Sequence, residues 1–123
     1  MKYLLIIHLV VLVAAIYGCR DSSSPVSGES IPGTYIRFSK HEFGQEYDTI
    51  ILERTSSDES HFLVTRRWRY ERVNEMPTYT KTTTVALFNT VNRTLEDGET
   101  GDVLIFDIKQ GLLYIGATKY QKL

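Results

Sequence analysis

His61-Phe62-Leu63-Val64-Thr65-Arg66-Arg67-Trp68-Arg69-Tyr70-Glu71-Arg72-Val73 is the stretch whose reading decides the fold class. Side chains on an extended chain point alternately to its two faces. At that period Phe62, Val64, Arg66, Trp68 and Tyr70 share one face, while Leu63, Thr65, Arg67, Arg69 and Glu71 share the other. Aromatic and β-branched residues fit a pleated, half-buried surface. The stretch therefore predicts a long strand, the longest in the chain.

Shorter runs of the same kind lie on both sides of it. Residues 34–39 alternate Tyr35 and Arg37 with Ile36 and Phe38, and residues 47–54 carry Ile50, Ile51 and Leu52 at their centre. After the break at Asn74-Glu75-Met76-Pro77 come runs over 78–88, 93–96, 102–108 and 112–120. Turn chemistry separates them at 56–60, Asp97-Gly98, Thr100-Gly101 and Lys109-Gln110-Gly111. No segment keeps a 3.6-residue apolar period through three turns, although 41–47 offers one short helical turn. Closely spaced strands with short turns predict an all-β domain over 33–123. Its expected form is a small antiparallel meander of about six to eight strands curled into a barrel or sandwich.

The first residues have a different composition. Lys2 precedes an apolar run over 3–16, broken only by His8. That run is shorter than the roughly 20 residues a transmembrane helix needs, and it suits the apolar core of a signal peptide. It ends at Ile16-Tyr17-Gly18-Cys19 and turns polar at Arg20-Asp21-Ser22. Residues 20–32 are rich in Ser, Gly and Pro without hydrophobic period, the composition of a flexible tether. Cys19 is the only cysteine, so no intramolecular disulfide can form.

Charge and motifs narrow the function classes. Fourteen Lys and Arg against fifteen Asp and Glu give a net charge of −1, which argues against a dedicated nucleic-acid binder. No Gly-x-Ser-x-Gly elbow, His-x-x-x-His pair or P-loop occurs in the chain. His41-Glu42 with Asp48 is a weak grouping, because adjacent residues on an extended chain point apart. The expectation is a non-enzymatic protein without metal or cofactor. The acidic run 96–102 lacks the ligand spacing of a calcium loop and fits a solvated hairpin turn.

Arg66, Arg67, Trp68, Arg69 and Tyr70 form the candidate binding surface. Exposed Trp, Tyr and Arg dominate interface energetics, and arginine beside aromatics suits a phosphate, a carboxylate or a sugar. The same pattern is that of a half-buried strand, with Trp68 and Tyr70 in the core and Arg67 and Arg69 paired with acids such as Glu53 or Glu71. Thr80, Thr82, Thr83 and Thr84 with Lys81 suit a solvent-facing strand, or one that recruits a partner by edge pairing.

Ile16, Gly18 and Cys19 resemble the lipobox of bacterial lipoproteins of the Bacteroidota type. The resemblance implies a signal peptide over 1–18 and a lipid-anchored tether over 19–32. It also implies acyl chains, palmitate among them, on Cys19 as the contact with membrane lipid. Two or more chains hold far more firmly than one, since each buried CH₂ contributes about 0.8 kcal/mol. Arg20 after Cys19 is unlike the inner-membrane retention signal of enteric lipoproteins, which implies the outer membrane. Gly33-Thr34-Tyr35 at the start of the domain, and Leu112 to Gly116 with Tyr120 to Leu123 at its end, are similar to small lipocalin-like lipoproteins. That likeness implies a binding or envelope-accessory module with a protein partner in the envelope, some such lipoproteins being parts of larger envelope assemblies. A carrier of a small apolar ligand and an inhibitor of a secreted enzyme are the alternatives.

Overall fold

The structure, a computed structural model, describes residues 30–55 and 59–123. The expected signal peptide, Cys19 and most of the expected tether lie outside the described residues. Eight strands follow one another: β1 (Gly33–His41), β2 (Gly44–Arg54), β3 (His61–Arg72), β4 (Thr78–Asn89), β5 (Thr94–Asp97), β6 (Val103–Asp107), β7 (Leu112–Ile115) and β8 (Thr118–Lys122). Each pairs antiparallel with its sequence neighbour, and β8 pairs with β1 to close a barrel. The class is all-β, as the alternation requires, and of barrel and sandwich the chain forms the barrel.

Closure depends on a division that the residue pattern conceals. The run over 112–120 breaks at Gly116, whose φ of 58° is left-handed, and Ile115 turns back to face Thr118. Glycine takes that conformation without a Cβ clash, as tight hairpins require. The second half becomes β8, the strand that meets β1. The expected helical turn at 41–47 does not form. His41 faces Gly44 across a hairpin, and Gly44 to Tyr47 extend as β2. A Cβ at Gly44 would stand 2.3 Å from the carbonyl oxygen of Glu71, so β2 and β3 can pair there only without a side chain.

The strands are unequal, and this shapes the molecule. β1 to β4 are long, whereas β5 to β8 have four or five residues each. β4 pairs with β5 only from Ala86 to Asn89, and β1 pairs with β8 only at Tyr35 and Ile36. Thr78 to Val85 therefore run on for about 25 Å past the last β5 pair. One end of the barrel is closed all round, and the other is a four-stranded wall rising above a low rim.

The closed end holds the core. Tyr35, Ile50, Leu52, Phe62, Ala86, Leu95, Leu104, Leu113 and Tyr120 are buried there. Full burial of a large apolar side chain contributes about 1.5–3 kcal/mol. Ile31 joins them at zero exposure, its carbonyl accepting a hydrogen bond of 2.8 Å from the Tyr35 hydroxyl. The Ser30 carbonyl accepts another from Lys122 Nζ at 3.0 Å. The packed domain thus takes in residues that composition assigned to the tether, because a single Ile among polar residues leaves no periodic trace.

Candidate functional site

The inner face of β3 runs from core to solvent as Phe62, Val64, Arg66, Trp68 and Tyr70. Phe62 is fully buried and packs edge-on against Phe88. Where the short strands stop, the packing stops too, and a cup of about 320 Å³ opens. Its floor is apolar, made by Ile50, Val64, Leu104 and Ile115. Its walls are polar: Arg66 and Trp68 from β3, Thr80, Thr82 and Thr84 from β4, and Asp97, Thr100 and Asp102 around the β5–β6 turn. That volume stands at the lower end of the range for small-molecule sites, about 300–1,000 Å³.

An ion pair with one buried member sits beside the floor. Asp48 is opposite Trp68 in the ladder, and its side chain is wholly buried. Arg66 donates to it through Nε at 3.0 Å and Nη2 at 2.5 Å, and the Tyr120 hydroxyl donates to Oδ2 at 2.8 Å. The fork of a guanidinium matches both carboxylate oxygens, which makes this the strong form of an ion pair. Hydrogen bonding to Asp48 holds Arg66 well above the ordinary arginine range, with Asp102 adding to the pull. Burial, and then the same bond to Asp48, push the Tyr120 phenol up to about 12.

The rim turn is fixed by Asp97. Its Oδ1 accepts from the backbone N–H groups of Glu99 at 2.9 Å and Thr100 at 3.2 Å, and its Oδ2 from the Thr84 hydroxyl. Burial raises this carboxyl, but the bonds from Thr84, Thr100 and Glu99 outweigh it and leave Asp97 below its ordinary value of 3.8. Aspartate is favoured here because a short carboxylate caps the orphan donors of a turn. The acidic run is therefore a structured hairpin turn with one buried acid.

Trp68 is held on two sides. Its Nε1 donates to Glu46 at 2.7 Å, and its ring stacks on Tyr70 with centroids 5.6 Å apart. Tyr70 in turn stacks on His41 at 5.7 Å. Glu46 also accepts from Arg37 at 3.2 Å. An aromatic ladder therefore climbs the inner wall from the cup, pinned by neutralised ion pairs.

The five candidate residues separate by parity, and they do not form one surface. Arg66 and Trp68 line the cup, and Tyr70 lies above them on the same inner face. Arg67 and Arg69 lie on the outer wall. Arg69 stands over the rings of Tyr47 at 5.0 Å and Tyr79 at 5.9 Å, and it pairs with Glu71 along its own strand. Phe38 packs on Tyr47 at 5.0 Å, so one ladder row reads Phe38, Tyr47, Arg69, Tyr79 across four strands. Glu53 faces Leu63 and meets neither arginine in the ladder.

Sequence reasoning overlooked the members that the fold delivers from a distance. Asp48 separates from His41 and Glu42 and joins Arg66, while Tyr120 arrives from the far end of the chain to share Asp48. Thr80, Thr82 and Thr84 line a cup instead of merely facing solvent. The period-two pattern of β4 could have signalled this, since it sets Thr80, Thr82 and Thr84 in phase with the buried Ala86. Comparison with protein-family models, with curated proteins and with solved structures finds no match to this chain.

Proposed function

We propose that this protein is an exported lipoprotein, held on the outer membrane through acylated Cys19, that acts as a non-enzymatic binding module with the cup as its binding site. The observation that carries the reading is polarity of placement. The chain enters the domain at Ile31, which is buried at the closed end, while the cup opens at the other end. A domain tethered by its N-terminal side offers the cup away from the anchoring surface. The preformed ion pair of Arg66 with Asp48 and the pinned Trp68 give the cup fixed walls, which lowers the ordering cost of binding.

Two experiments test the two halves. Cys19→Ala is expected to abolish incorporation of labelled fatty acid and to leave the protein out of the membrane fraction. Retention of label in that variant refutes the anchor. Crosslinking in the native membrane, with Thr82→Arg as the variant that fills the cup, tests the site. Loss of the wild-type crosslink pattern supports the cup, and an unchanged pattern moves recognition to the outer row of Phe38, Tyr47, Arg69 and Tyr79.

The other two functions drawn from the resemblance fit less well. A carrier of an apolar ligand needs Phe62, Trp68 and Tyr70 to line one open cavity. Of these Trp68 alone lines the cup, Phe62 being packed in the core. An inhibitor of a secreted enzyme finds no support in the disulfide usual in small lipoproteins of that kind, since Cys19 is the only cysteine.

A further inference from the structure

The walls of the cup specify a ligand chemistry, and the inference from them rests on the cup being the binding site. Arg66 spends Nε and Nη2 on Asp48 and Tyr120, and none of these bonds uses Nη1. Asp102 bonds to the rim turn through its backbone, while its carboxylate makes no hydrogen bond among the described residues. The hydroxyls of Thr80 and Thr82 likewise make none, and both residues are exposed on the cup wall. The cup therefore offers a donor, a carboxylate acceptor and two hydroxyls that serve as either, beside the indole of Trp68 and above an aliphatic floor.

Charge and unanswered hydrogen bonds together remove the competing classes. A phosphate or carboxylate would enter beside Asp97 and Asp102, and the single guanidinium that could receive it is already neutralised by Asp48. An organic cation could pair with Asp102, but it brings no acceptor for the unused Nη1 donor of Arg66, which it would cover and strip of water. An acyl chain would strip water from Asp102, Thr80 and Thr82 without replacing their hydrogen bonds, at about 1–3 kcal/mol for each neutral group and more for the carboxylate. A neutral ring bearing hydroxyls avoids all three penalties. Its C–H face packs on an aromatic ring, and its hydroxyls both donate and accept.

We propose that the cup binds one ring of a neutral saccharide, with Trp68 as the packing face. Asp102, Thr80, Thr82 and Arg66 Nη1 are its hydrogen-bonding partners. Trp68 is the only tryptophan of the chain, so its fluorescence reports the site directly.

The test uses the full-length protein in detergent, titrated with glucose, galactose, mannose and N-acetylglucosamine, and separately with choline, inorganic phosphate and palmitate. The expected result is a saturable change in Trp68 emission with at least one sugar and with none of the other three probes. Asp102→Asn keeps the shape of the side chain and is expected to weaken that response tenfold or more, whereas Arg67→Ala on the outer wall leaves it unchanged. Saturation by choline, phosphate or palmitate instead overturns the saccharide while keeping the cup as a binding site. Silence with all seven probes overturns the saccharide as well. The cup itself then falls only if Thr82→Arg also leaves the membrane crosslinks unchanged.

Discussion

Replacing Asp48 by Asn tests the central electrostatic feature of the barrel. The Asp48 side chain is wholly buried and meets Arg66 twice and Tyr120 once. Removing one partner of a fully buried ion pair costs about 3–5 kcal/mol, because the other charge stays behind without compensation. Here the Arg66 side chain keeps 42% exposure, so water in the cup takes up part of the stranded guanidinium. The Asn carbonyl also still accepts one hydrogen bond. Screening and that bond reduce the expected loss to about 2–3 kcal/mol. This is a large share of the roughly 5–15 kcal/mol that holds a small domain together. Urea unfolding followed by both far-UV circular dichroism and Trp68 fluorescence measures it, with a midpoint lowered by about 1–2 M at a typical urea slope. The pair is also expected to be replaceable as a unit. Asp48→Leu with Arg66→Met and Tyr120→Phe removes every polar member together and should recover most of the loss, since apolar packing commonly matches a buried ion pair. A midpoint moved by less than about 0.3 M in Asp48→Asn, or a triple variant weaker than the single one, refutes the reasoning.

Three further outcomes follow from particular groups. Thr94 Oγ1 is buried without a hydrogen-bond partner among the described residues, so Thr94→Val is expected to raise stability by about 1 kcal/mol, and a fall in the calorimetric midpoint would count against it. Burial pushes the Tyr35 phenol up to about 12 from an ordinary 10.0, as it does Tyr120. Stability from these two phenols is full below pH 10 and is lost as pH rises through 12, on the order of 2–3 kcal/mol for each. Denaturant midpoints measured across that window check the sign. Asp97 titrates below 3.8, so its contribution is present above that pH and disappears as pH falls below it. Thr84→Val removes one of its donors and should raise the pH at which the Glu99 and Thr100 amides lose protection from hydrogen exchange, which an unchanged onset would contradict.

Local pattern carried most of the architecture. The residues on each face of β3 followed from period-two alternation in one segment, since strand geometry leaves a side chain only two directions. Strand ends were less legible. β1 and β2 each extend past their apolar runs, because ladder hydrogen bonds continue through His41, Gly44 and Gln45 whatever their side chains. The division of 112–120 into β7 and β8 was hidden, as a two-residue turn occupies less sequence than the pattern resolves. Its only trace is Gly116, the residue that tolerates the required φ.

The candidate site shows the same boundary more sharply. Arg66 to Tyr70 form a distinctive string, and alternation alone divides it between two faces of a strand. Which face is inside a barrel depends on closure by β8, a strand from the other end of the chain. The sequence by itself determined the all-β class, the long third strand and the parity of its residues, because these follow from local backbone geometry. Only the tertiary structure decided that Asp48, Arg66 and Tyr120 share one hydrogen-bonded network, and that unequal strand lengths leave a cup beneath Trp68. Those contacts join residues up to seventy-two positions apart, and no local periodicity encodes such a meeting.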